Sequence, residues 1–190
     1  MNNIKVGFAV TGSFCTFEKA IKQMERFISN GADVVPVMSF NSRNINTRFG
    51  RAEDFADRIE KLTGNKIIAT IEDAEPIGPM NMTDVLVVLP CTGNTLAKLA
   101  MGIYDTPVTL AVKSHLRNQK PVVIGVSTND ALSNTSKNIG ALLNFKHYYF
   151  IPMTQDDFYK KPFSVVCDFE KAYETVECAL KGQQIQPVIF

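Results

Sequence analysis

The sequence predicts a single α/β domain of the three-layer, doubly wound kind, with a Rossmann-like or flavodoxin-like parallel sheet. Apolar runs of strand length recur along the 190 residues, and segments with helical spacing lie between them. Runs that are apolar throughout are typical of strands covered on both faces. With 45% hydrophobic residues, the chain can bury a sizeable core. We expect one domain over residues 1–182 and a short tail over 183–190, whose apolar end could dock on a neighbour.

The predicted strands are residues 4–10, 33–38, 84–89, 121–126 and 147–151, with a weaker candidate at 66–70. The first helix is predicted from Phe17, Ile21, Met24 and Ile28, which share one helical face, with Gly31 as its stop. Further helices are predicted over residues 51–62, with Gly64 after it, and over 95–103 and 168–181.

Composition and charge exclude several classes of function. The net charge is +1 and the Lys and Arg residues are scattered, which gives no support for a nucleic-acid partner. The longest apolar runs fall far short of the ~20 residues that cross a bilayer, and the first residues leave no room for a secretory signal. The four cysteines form no C-x-x-C pair, which disfavours a metal site and indicates free thiols. A cytoplasmic protein without a bound metal is the expectation.

A doubly wound sheet binds its ligand beyond the carboxyl ends of its strands. In the first such loop, Gly12 allows a tight turn and Ser13 offers a hydroxyl, although the loop is neither a dinucleotide fingerprint nor a P-loop. A helix N-cap explains the loop about as well as an anion site. The second loop, residues 39–42, is rich in hydroxyl and amide groups and alone is only a turn.

The third loop, Pro90-Cys91-Thr92-Gly93-Asn94-Thr95, has two interpretations. In one, Pro90 ends the strand, Gly93 lets a flat ligand approach, and the hydroxyl and amide groups bind a cofactor. In the other, the segment is a capped turn with Asn94 or Thr95 as N-cap. Spacing alone favours neither.

The fourth loop, Ser127 to Asp130, could contact cofactor or substrate. Just before it, Lys113 and Arg117 stand four residues apart and would share a helix face, where they could bind an anion. Simple solvation is the usual explanation for two such cations.

Four blocks in order resemble the flavin-dependent cysteine decarboxylase-like flavoproteins, a family that also includes phosphopantothenoylcysteine decarboxylase and the flavin prenyltransferases. The blocks are Val10-Thr11-Gly12, the segment 90–95, which is similar to P-A-[ST]-A-N-T, Ala97 to Ala100, and Gly102 to Asp105. The resemblance covers most of the chain and implies the same α/β fold with bound FMN.

The resemblance also assigns roles to residues. It implies that FMN is bound by Thr11, Gly12, Ser13, Ser39, Thr92, Gly93, Asn94 and Thr95, with Lys113 and Arg117 near its phosphate. Homo-oligomers with flavin sites at subunit contacts are implied as well, and Phe14, Phe40 and Phe49 could cover such a site from a neighbouring copy.

Two departures from the family pattern argue against decarboxylation. The catalytic histidine of the decarboxylases would fall on Pro76, and no histidine occurs between Met1 and Val112. The family's P-x-M-N-x-x-M-W motif appears as residues 126–133 and retains only Asn129. For His115 and His147, an ordinary half-buried imidazole is the expected state.

Five further blocks resemble one branch of this family, a subunit of a two-subunit oxidoreductase of spore-forming bacteria. They are residues 47–50, 90–100, 105–118, 127–140 and 149–164. The resemblance implies oxidation of a dihydrodipicolinate-type precursor to pyridine-2,6-dicarboxylate in the mother-cell cytoplasm during sporulation, with NAD(P) bound through a partner A subunit. Two routes for the hydride stay open: direct transfer to NAD(P), with this subunit shaping the site, or relay through the flavin. The alternatives are an FMN-binding decarboxylase or prenyltransferase-like enzyme, or a non-catalytic cofactor-binding or regulatory subunit.

A dicarboxylate substrate requires polar and cationic partners. Asn129 and Arg48 are the predicted substrate-binding residues, with Lys113, Arg117, Lys160 and Lys161 as further cations. Lys160 and Lys161 lie on a segment that could close over the site, although solvation is the more ordinary explanation for both. The sequence names no catalytic acid or base.

Overall fold

A computed structural model describes residues 3–190 and has a mostly parallel sheet with helices on both faces. Five strands form the parallel part in the order β2-β1-β3-β4-β5. Their bounds are β1 Lys5–Val10, β2 Asp33–Met38, β3 Val85–Cys91, β4 Val122–Thr128 and β5 Tyr148–Phe150. The predicted doubly wound α/β fold is confirmed, and all five stronger strand predictions match within a few residues.

Two further strands were not predicted. Strands β6 (Met153–Gln155) and β7 (Val165–Cys167) form an antiparallel hairpin, and β7 also pairs antiparallel with the end of β4. We call the connection between them, residues 156–164, the flap. The weaker candidate at 66–70 is not a strand, because only Ile68 bridges to Val37.

Eight α-helices are present in residues 3–190, with 3-10 turns at 14–16, 75–77 and 169–171. Their bounds are α1 Phe17–Ser29, α2 Phe40–Asn44, α3 Ala52–Thr63, α4 Ile71–Ala74, α5 Gly93–Met101, α6 Pro107–Leu116, α7 Ser136–Asn144 and α8 Ala172–Ala179. The predicted helices correspond to α1, α3, α5 and α8, whereas α2, α4, α6 and α7 were not predicted. Gly64 ends α3 in the left-handed conformation, with φ 69°, as its position after the helix suggested.

The core lies on both faces of the parallel strands. Strand β3 is buried along its whole length, and Phe8, Phe17 and Phe27 are among the largest fully buried side chains. None of the helices in residues 3–190 is long and apolar enough to cross a bilayer.

The segment 183–190 packs against its own chain. The Gln184 side chain exchanges two hydrogen bonds of 2.7 Å with the backbone of Phe150. Beyond it, Met153 N donates to Val188 O and Phe190 N donates to Met153 O. The tail thus runs beside β6, with Ile189 and Phe190 largely exposed.

Candidate functional site

A cavity of about 830 Å³ opens at the carboxyl ends of β1, β3 and β4, where the fold predicts a ligand. Its walls are the loops leading into α1, α5 and α7, the residues around Phe49, and the flap. The predicted site residues that line it are Gly12, Ser13, Thr92, Gly93, Asn94 and Asn129. The sequence did not point to Lys19, Thr16, Asp156 or Ser164, which line it too.

Thr11 lies behind the cavity wall and holds two loops together. Its buried hydroxyl donates to Pro90 O at 2.8 Å and accepts from Thr92 N–H at 3.1 Å. This side chain therefore shapes the third loop and is not among the lining residues.

The segment 90–95 is both a helix cap and a cavity wall. Thr92 is the N-cap of α5, because its hydroxyl accepts from Thr95 N–H at 3.4 Å. The suggested caps, Asn94 and Thr95, are wrong. Pro90 does not end the strand either, since β3 continues to Cys91 with a shift of register after Val88. Thr95 is buried, whereas Asn94 is exposed and faces the cavity.

There is no room for a side chain at Gly93, because the neighbouring loop comes very close. A Cβ there would lie 2.7 Å from Asp130 Oδ1, 2.8 Å from Thr128 Oγ1 and 3.0 Å from Thr135 Oγ1. The Thr128 and Thr135 hydroxyls donate to the Asp130 carboxylate at 2.6 Å and 2.7 Å. The hydrogen bond from Thr128, followed by that from Thr135, holds the pKa of Asp130 below its usual value.

The first loop is less constrained than its sequence suggested. Gly12 has no positive φ, and a Cβ there would meet only ordinary contacts, the nearest being Asn41 Cβ at 3.6 Å. The turn itself therefore does not require glycine. Ser13 Oγ lies 2.9 Å from Ser127 Oγ, which joins the first loop to the end of β4. Lys19, in the first turn of α1, adds a cation to this side.

Ser39 does not line the cavity. It caps α2, because its hydroxyl accepts from Ser42 N–H at 3.3 Å. The second loop is thus a capped helix start, and the sequence patterns did not predict the helix that follows it.

Lys113 and Arg117 are not brought to this cavity. Both are exposed at the end of α6. That end lies at the amino edge of the sheet, since His115 Nε2 is 3.0 Å from Pro121 O, just before β4. Lys113 instead stacks on Tyr104, with its amine 5.2 Å from the ring centre. The expectation that this pair lies near the phosphate is wrong for the cavity of a single chain.

Arg48 stands on a tight turn next to the cavity residue Phe49 and is not itself among the lining residues. Thr47 and Gly50 exchange two backbone hydrogen bonds, and the Arg48 guanidinium lies 4.9 Å from the centre of the Phe49 ring. Phe49 lines the cavity. Gly50 has φ 147°, and a Cβ there would lie 2.7 Å from the Phe55 ring, so the turn depends on this glycine.

The flap carries two lysines, Lys160 and Lys161, and only Lys161 lines the cavity. Lys161 lines the cavity and lies 2.9 Å from Asp156 Oδ2, a hydrogen bond that lowers the pKa of Asp156 and raises that of Lys161. Lys160 is exposed, with its amine 3.9 Å from Asp157.

Neither histidine lines the cavity. His115 is buried, not half-buried as expected, with Nδ1 2.8 Å from Thr83 Oγ1, and burial lowers its pKa to about 4. His147 lies just before β5 at the amino edge. Pro76, where the decarboxylase histidine would fall, lies in a 3-10 turn against α6.

The thiols of Cys91 and Cys167 are buried, whereas that of Cys15 is exposed. Burial raises the pKa of Cys91 and of Cys167 well above the usual range, so both stay protonated and unreactive. Cys15 is exposed and lines the cavity.

Comparison with known proteins agrees with this geometry. A model of the Flavoprotein family matches residues 1–177. The chain belongs to the Flavoprotein family. The dipicolinate synthase B subunit of Bacillus subtilis (strain 168) is 44% identical over 185 residues, which cover 97% of this chain and 92% of that protein. The crystal structure of the dipicolinate synthase B subunit from Bacillus halodurans C superposes with a TM-score of 0.92 at 42% identity, covering 100% of this chain and 98% of that one.

The chain is also similar to a solved structure of the FMN-dependent cysteine decarboxylase SpaF. Its structure superposes with a TM-score of 0.67 at 25% identity, covering 94% of this chain and 95% of that one. The shared fold thus extends over nearly the whole chain in both comparisons.

The cavity fits a flavin mononucleotide in size and in chemistry. A volume of about 830 Å³ lies within the range of about 300–1,000 Å³ that is usual for cofactor sites. The start of α1 and Lys19 suit a phosphate, and the hydroxyl and amide groups of Thr92, Asn94 and Ser127 suit a ribityl chain and a ring edge.

Proposed function

We propose that this chain acts as the B subunit of a dipicolinate synthase. In this role it helps to oxidise a dihydrodipicolinate-type precursor to pyridine-2,6-dicarboxylate in the cytoplasm of a sporulating mother cell. The observation that carries the proposal is the 44% identity that extends over 97% of the chain. A likeness of this extent includes every loop that lines the cavity as well as the sheet beneath it.

The proposed cofactor is FMN, with its phosphate at the start of α1. There, Gly12, Ser13 and the 3-10 turn at residues 14–16, which leads into α1, line the cavity beside Lys19. The positive end of a helix favours an anion. Thr92, Gly93 and Asn94 would contact the remainder of the cofactor. Thr11, Ser39 and Thr95 serve it indirectly, because their hydroxyl groups hold the loops in shape.

Aromatisation of a dihydropyridine removes a hydride and a proton; bound FMN would supply the hydride acceptor, and the proton would pass to solvent. This chain would bind and orient the substrate. Asn129 is exposed in the cavity and makes no side-chain hydrogen bond within residues 3–190, so its amide is free for a substrate carboxylate. Arg48, next to Phe49, would bind a carboxylate, since a bidentate guanidinium contact is strong.

A partner A subunit that binds NAD(P) would complete the enzyme, because the hydride must leave the site after each turnover. The chain is also proposed to form homo-oligomers. The exposed rings of Phe40 and Phe49, each more than two-fifths accessible, and the partly buried Phe14 could then be covered by a neighbouring copy.

Decarboxylation of a peptidyl cysteine is less well supported. No imidazole lines the cavity in the described chain, and Pro76 stands where the family's catalytic histidine is expected. The polar side chains that line it carry hydroxyl, amide, carboxylate and amine groups, and Phe14, Phe49, Val165 and Val166 add apolar surface, a mixture that suits binding of a flat polar ring.

The test combines a spectrum with an assay. The purified chain, incubated with FMN and then freed of unbound cofactor by desalting, should retain a flavin absorption spectrum, and with the A subunit it should form pyridine-2,6-dicarboxylate from the precursor. Asn129→Ala should weaken binding of pyridine-2,6-dicarboxylate while FMN binding stays unchanged, and Asn134→Ala, an exposed amide outside the cavity, is the matched control. A colourless protein, or full product formation when this chain is left out of the assay, would refute the proposal.

A further inference from the structure

Of the two carboxylates that line the cavity, only Asp156 has a cationic partner. Asp156 lies 2.9 Å from the Lys161 amine, whereas no Lys, Arg or His nitrogen of residues 3–190 lies within 4.0 Å of Asp130. Asp130 therefore contributes an uncompensated negative charge to the cavity wall.

This charge is held in one place. The Thr128 hydroxyl donates to Oδ1 at 2.6 Å and the Thr135 hydroxyl donates to Oδ2 at 2.7 Å. Both hydrogen bonds stabilise the ionised carboxylate, and together they fix both of its oxygens. A side chain with both oxygens bonded does not turn away from a ligand as a free surface aspartate would.

Asp130 also occupies the start of α5. The position of Gly93, where a Cβ would lie 2.7 Å from Asp130 Oδ1, puts this carboxylate against the first turn of a nine-residue helix. The positive end of a helix attracts anions. At α5 the Asp130 carboxylate already lies in that position, so it would repel a phosphate there. The first turn of α1 also contains a carboxylate, Glu18, but it does not line the cavity and is paired with Arg58 at 2.8 Å, so Lys19 is the charged residue of that turn in the cavity wall. The cavity is therefore electrostatically uneven, with an anion at α5 and a cation at α1.

We propose that Asp130 is a positioning and tuning residue for the flavin. It directs the cofactor phosphate towards the start of α1, and it leaves a fixed negative charge in the half of the cavity that holds the ring, where it lowers the reduction potential. The inference rests on the proposed function, because it assumes FMN in this cavity.

The physical reason is that reduction adds electrons to the ring, and a nearby anion disfavours that addition. Asp130 is partly exposed, so water screens its field until a ligand fills the cavity and displaces the solvent. The direction of the effect suits the proposed reaction. A lower potential brings the flavin closer to the nicotinamide couple, so that the two electrons and the hydrogen taken from the substrate can be passed on to NAD(P)⁺.

The decisive experiment compares the midpoint potential of bound flavin in the wild-type chain, Asp130→Asn and Asp57→Asn, measured against a reference dye at neutral pH. An asparagine can still accept from one threonine and donate to the other, so the loop keeps its hydrogen bonds while the charge is lost. Asp57 is exposed on α3 and forms no ion pair within residues 3–190, which makes it a matched control for the loss of one charge. We expect a more positive potential in Asp130→Asn alone, and FMN binding that is about fivefold tighter because one repulsive charge is gone.

A second variant covers the case in which Asp130→Asn does not fold. Thr135→Val keeps the charge, removes one of the two donors and preserves the side-chain volume. The pKa of Asp130 should then rise, so the flavin potential should increase more steeply with falling pH than in the wild type. Parallel curves in this variant, or an unchanged potential in Asp130→Asn, would overturn the inference and leave the proposed function standing. A wild-type chain that binds no FMN would overturn both.

Discussion

At the two edges of the sheet, polar side chains of similar types differ in whether they have a partner in their own chain. At the amino edge, the Lys120 amine donates to Thr83 O at 2.6 Å and to Asp84 Oδ1 at 3.1 Å, while Asp84 Oδ2 accepts from Lys5 N–H at 2.9 Å. Asn118 donates to Gly78 O at 2.8 Å. Each of these side chains is thus paired with a partner in its own chain.

At the carboxyl edge, several polar groups face the cavity without such a partner. Asn94 and Asn129 make no side-chain hydrogen bond, and Lys19 forms no ion pair, within residues 3–190. All three groups are exposed, so it is their convergence on one cavity, and not the lack of a partner alone, that indicates a ligand. The same residue types therefore indicate stability at one edge and binding at the other, and variants at the two edges should separate these properties.

The largest effect on stability is expected from Gly78→Ala at the amino edge. A Cβ at Gly78 would lie 2.0 Å from the backbone oxygen of Ser114, so α6 would have to move away from the 3-10 turn. Overpacking against backbone should destabilise the fold by about 3 kcal/mol or more. Urea unfolding measures the change.

Gly140→Ala is the matched control for this substitution. Gly140 lies within α7, has no positive φ, and a Cβ there would meet nothing within 4 Å. Alanine should leave stability unchanged or raise it by about 0.5–1 kcal/mol. An unfolding midpoint for Gly78→Ala equal to that of Gly140→Ala would contradict the close approach of α6.

The next effect is a pH dependence that belongs to His115. Its pKa in the folded chain is about 4, mainly because of burial, whereas an unfolded histidine has a pKa of about 6.5. Between these values the unfolded chain binds more protons, so stability is highest above pH 6.5 and falls as the pH drops towards 4. The loss should approach about 3 kcal/mol.

Unfolding of the wild type and of His115→Gln at several pH values measures this loss. The glutamine variant should be less stable at pH 7 and should vary less between pH 6.5 and 4. Carboxyl groups with lowered pKa, such as Asp84, contribute in the same direction only near and below about pH 4. Equal slopes in the two proteins would show that His115 is protonated in the folded state.

The sequence predicted most of the parallel sheet, because strands buried on both faces are apolar throughout. It failed where short elements depend on contacts distant in the chain. Strands β6 and β7 have three residues each and are held by pairing with each other and with the end of β4. Helix α2 has five residues and depends on the Ser39 cap. Neither length gives a readable hydrophobic period.

The candidate site was predicted in location more accurately than in detail. The rule for parallel sheets identified three loops that line the cavity and one, residues 39–42, that does not, and six of the predicted cofactor-binding and substrate-binding residues line it. A motif shows which residue types are present, but not which way a side chain points. Thr11 thus appeared equivalent to Ser13, although one hydroxyl is bonded to Pro90 O behind the wall and the other lies 2.9 Å from Ser127 Oγ in the wall itself. Lys113 and Arg117 share a helix face, but that face ends at the wrong edge of the sheet.

Thr11→Val and Ser13→Ala should show opposite patterns and so separate structural from binding hydroxyls. Valine at position 11 leaves the Pro90 carbonyl and the Thr92 N–H buried without a partner, which should destabilise the fold by about 1–3 kcal/mol. Alanine at position 13 should change stability by less than about 0.5 kcal/mol, because its hydroxyl is only half-buried.

FMN binding should respond in the reverse order. We expect Ser13→Ala to weaken it about fivefold through loss of one hydrogen bond, with a smaller change for Thr11→Val once the unfolded fraction is taken into account. Thermal unfolding and flavin fluorescence quenching measure the two properties. Equal losses of affinity in both variants would mean that the Thr11 hydroxyl reaches the ligand after all.

The smallest effects on FMN affinity are expected from removing single exposed cations, one at each edge of the sheet. Lys19→Ala should weaken FMN binding about fivefold at low ionic strength and less at high ionic strength, because salt screens its attraction for a phosphate. Arg117→Ala should change the dissociation constant less than about twofold at either ionic strength, since its side chain lies exposed at the amino edge and does not line the cavity. The comparison is made by fluorescence titration of the two variants side by side. If Arg117→Ala weakened binding as much as Lys19→Ala, with the same dependence on salt, then Arg117 would reach a cavity from another copy of the chain, and a variant that blocks association of copies should then reproduce the loss.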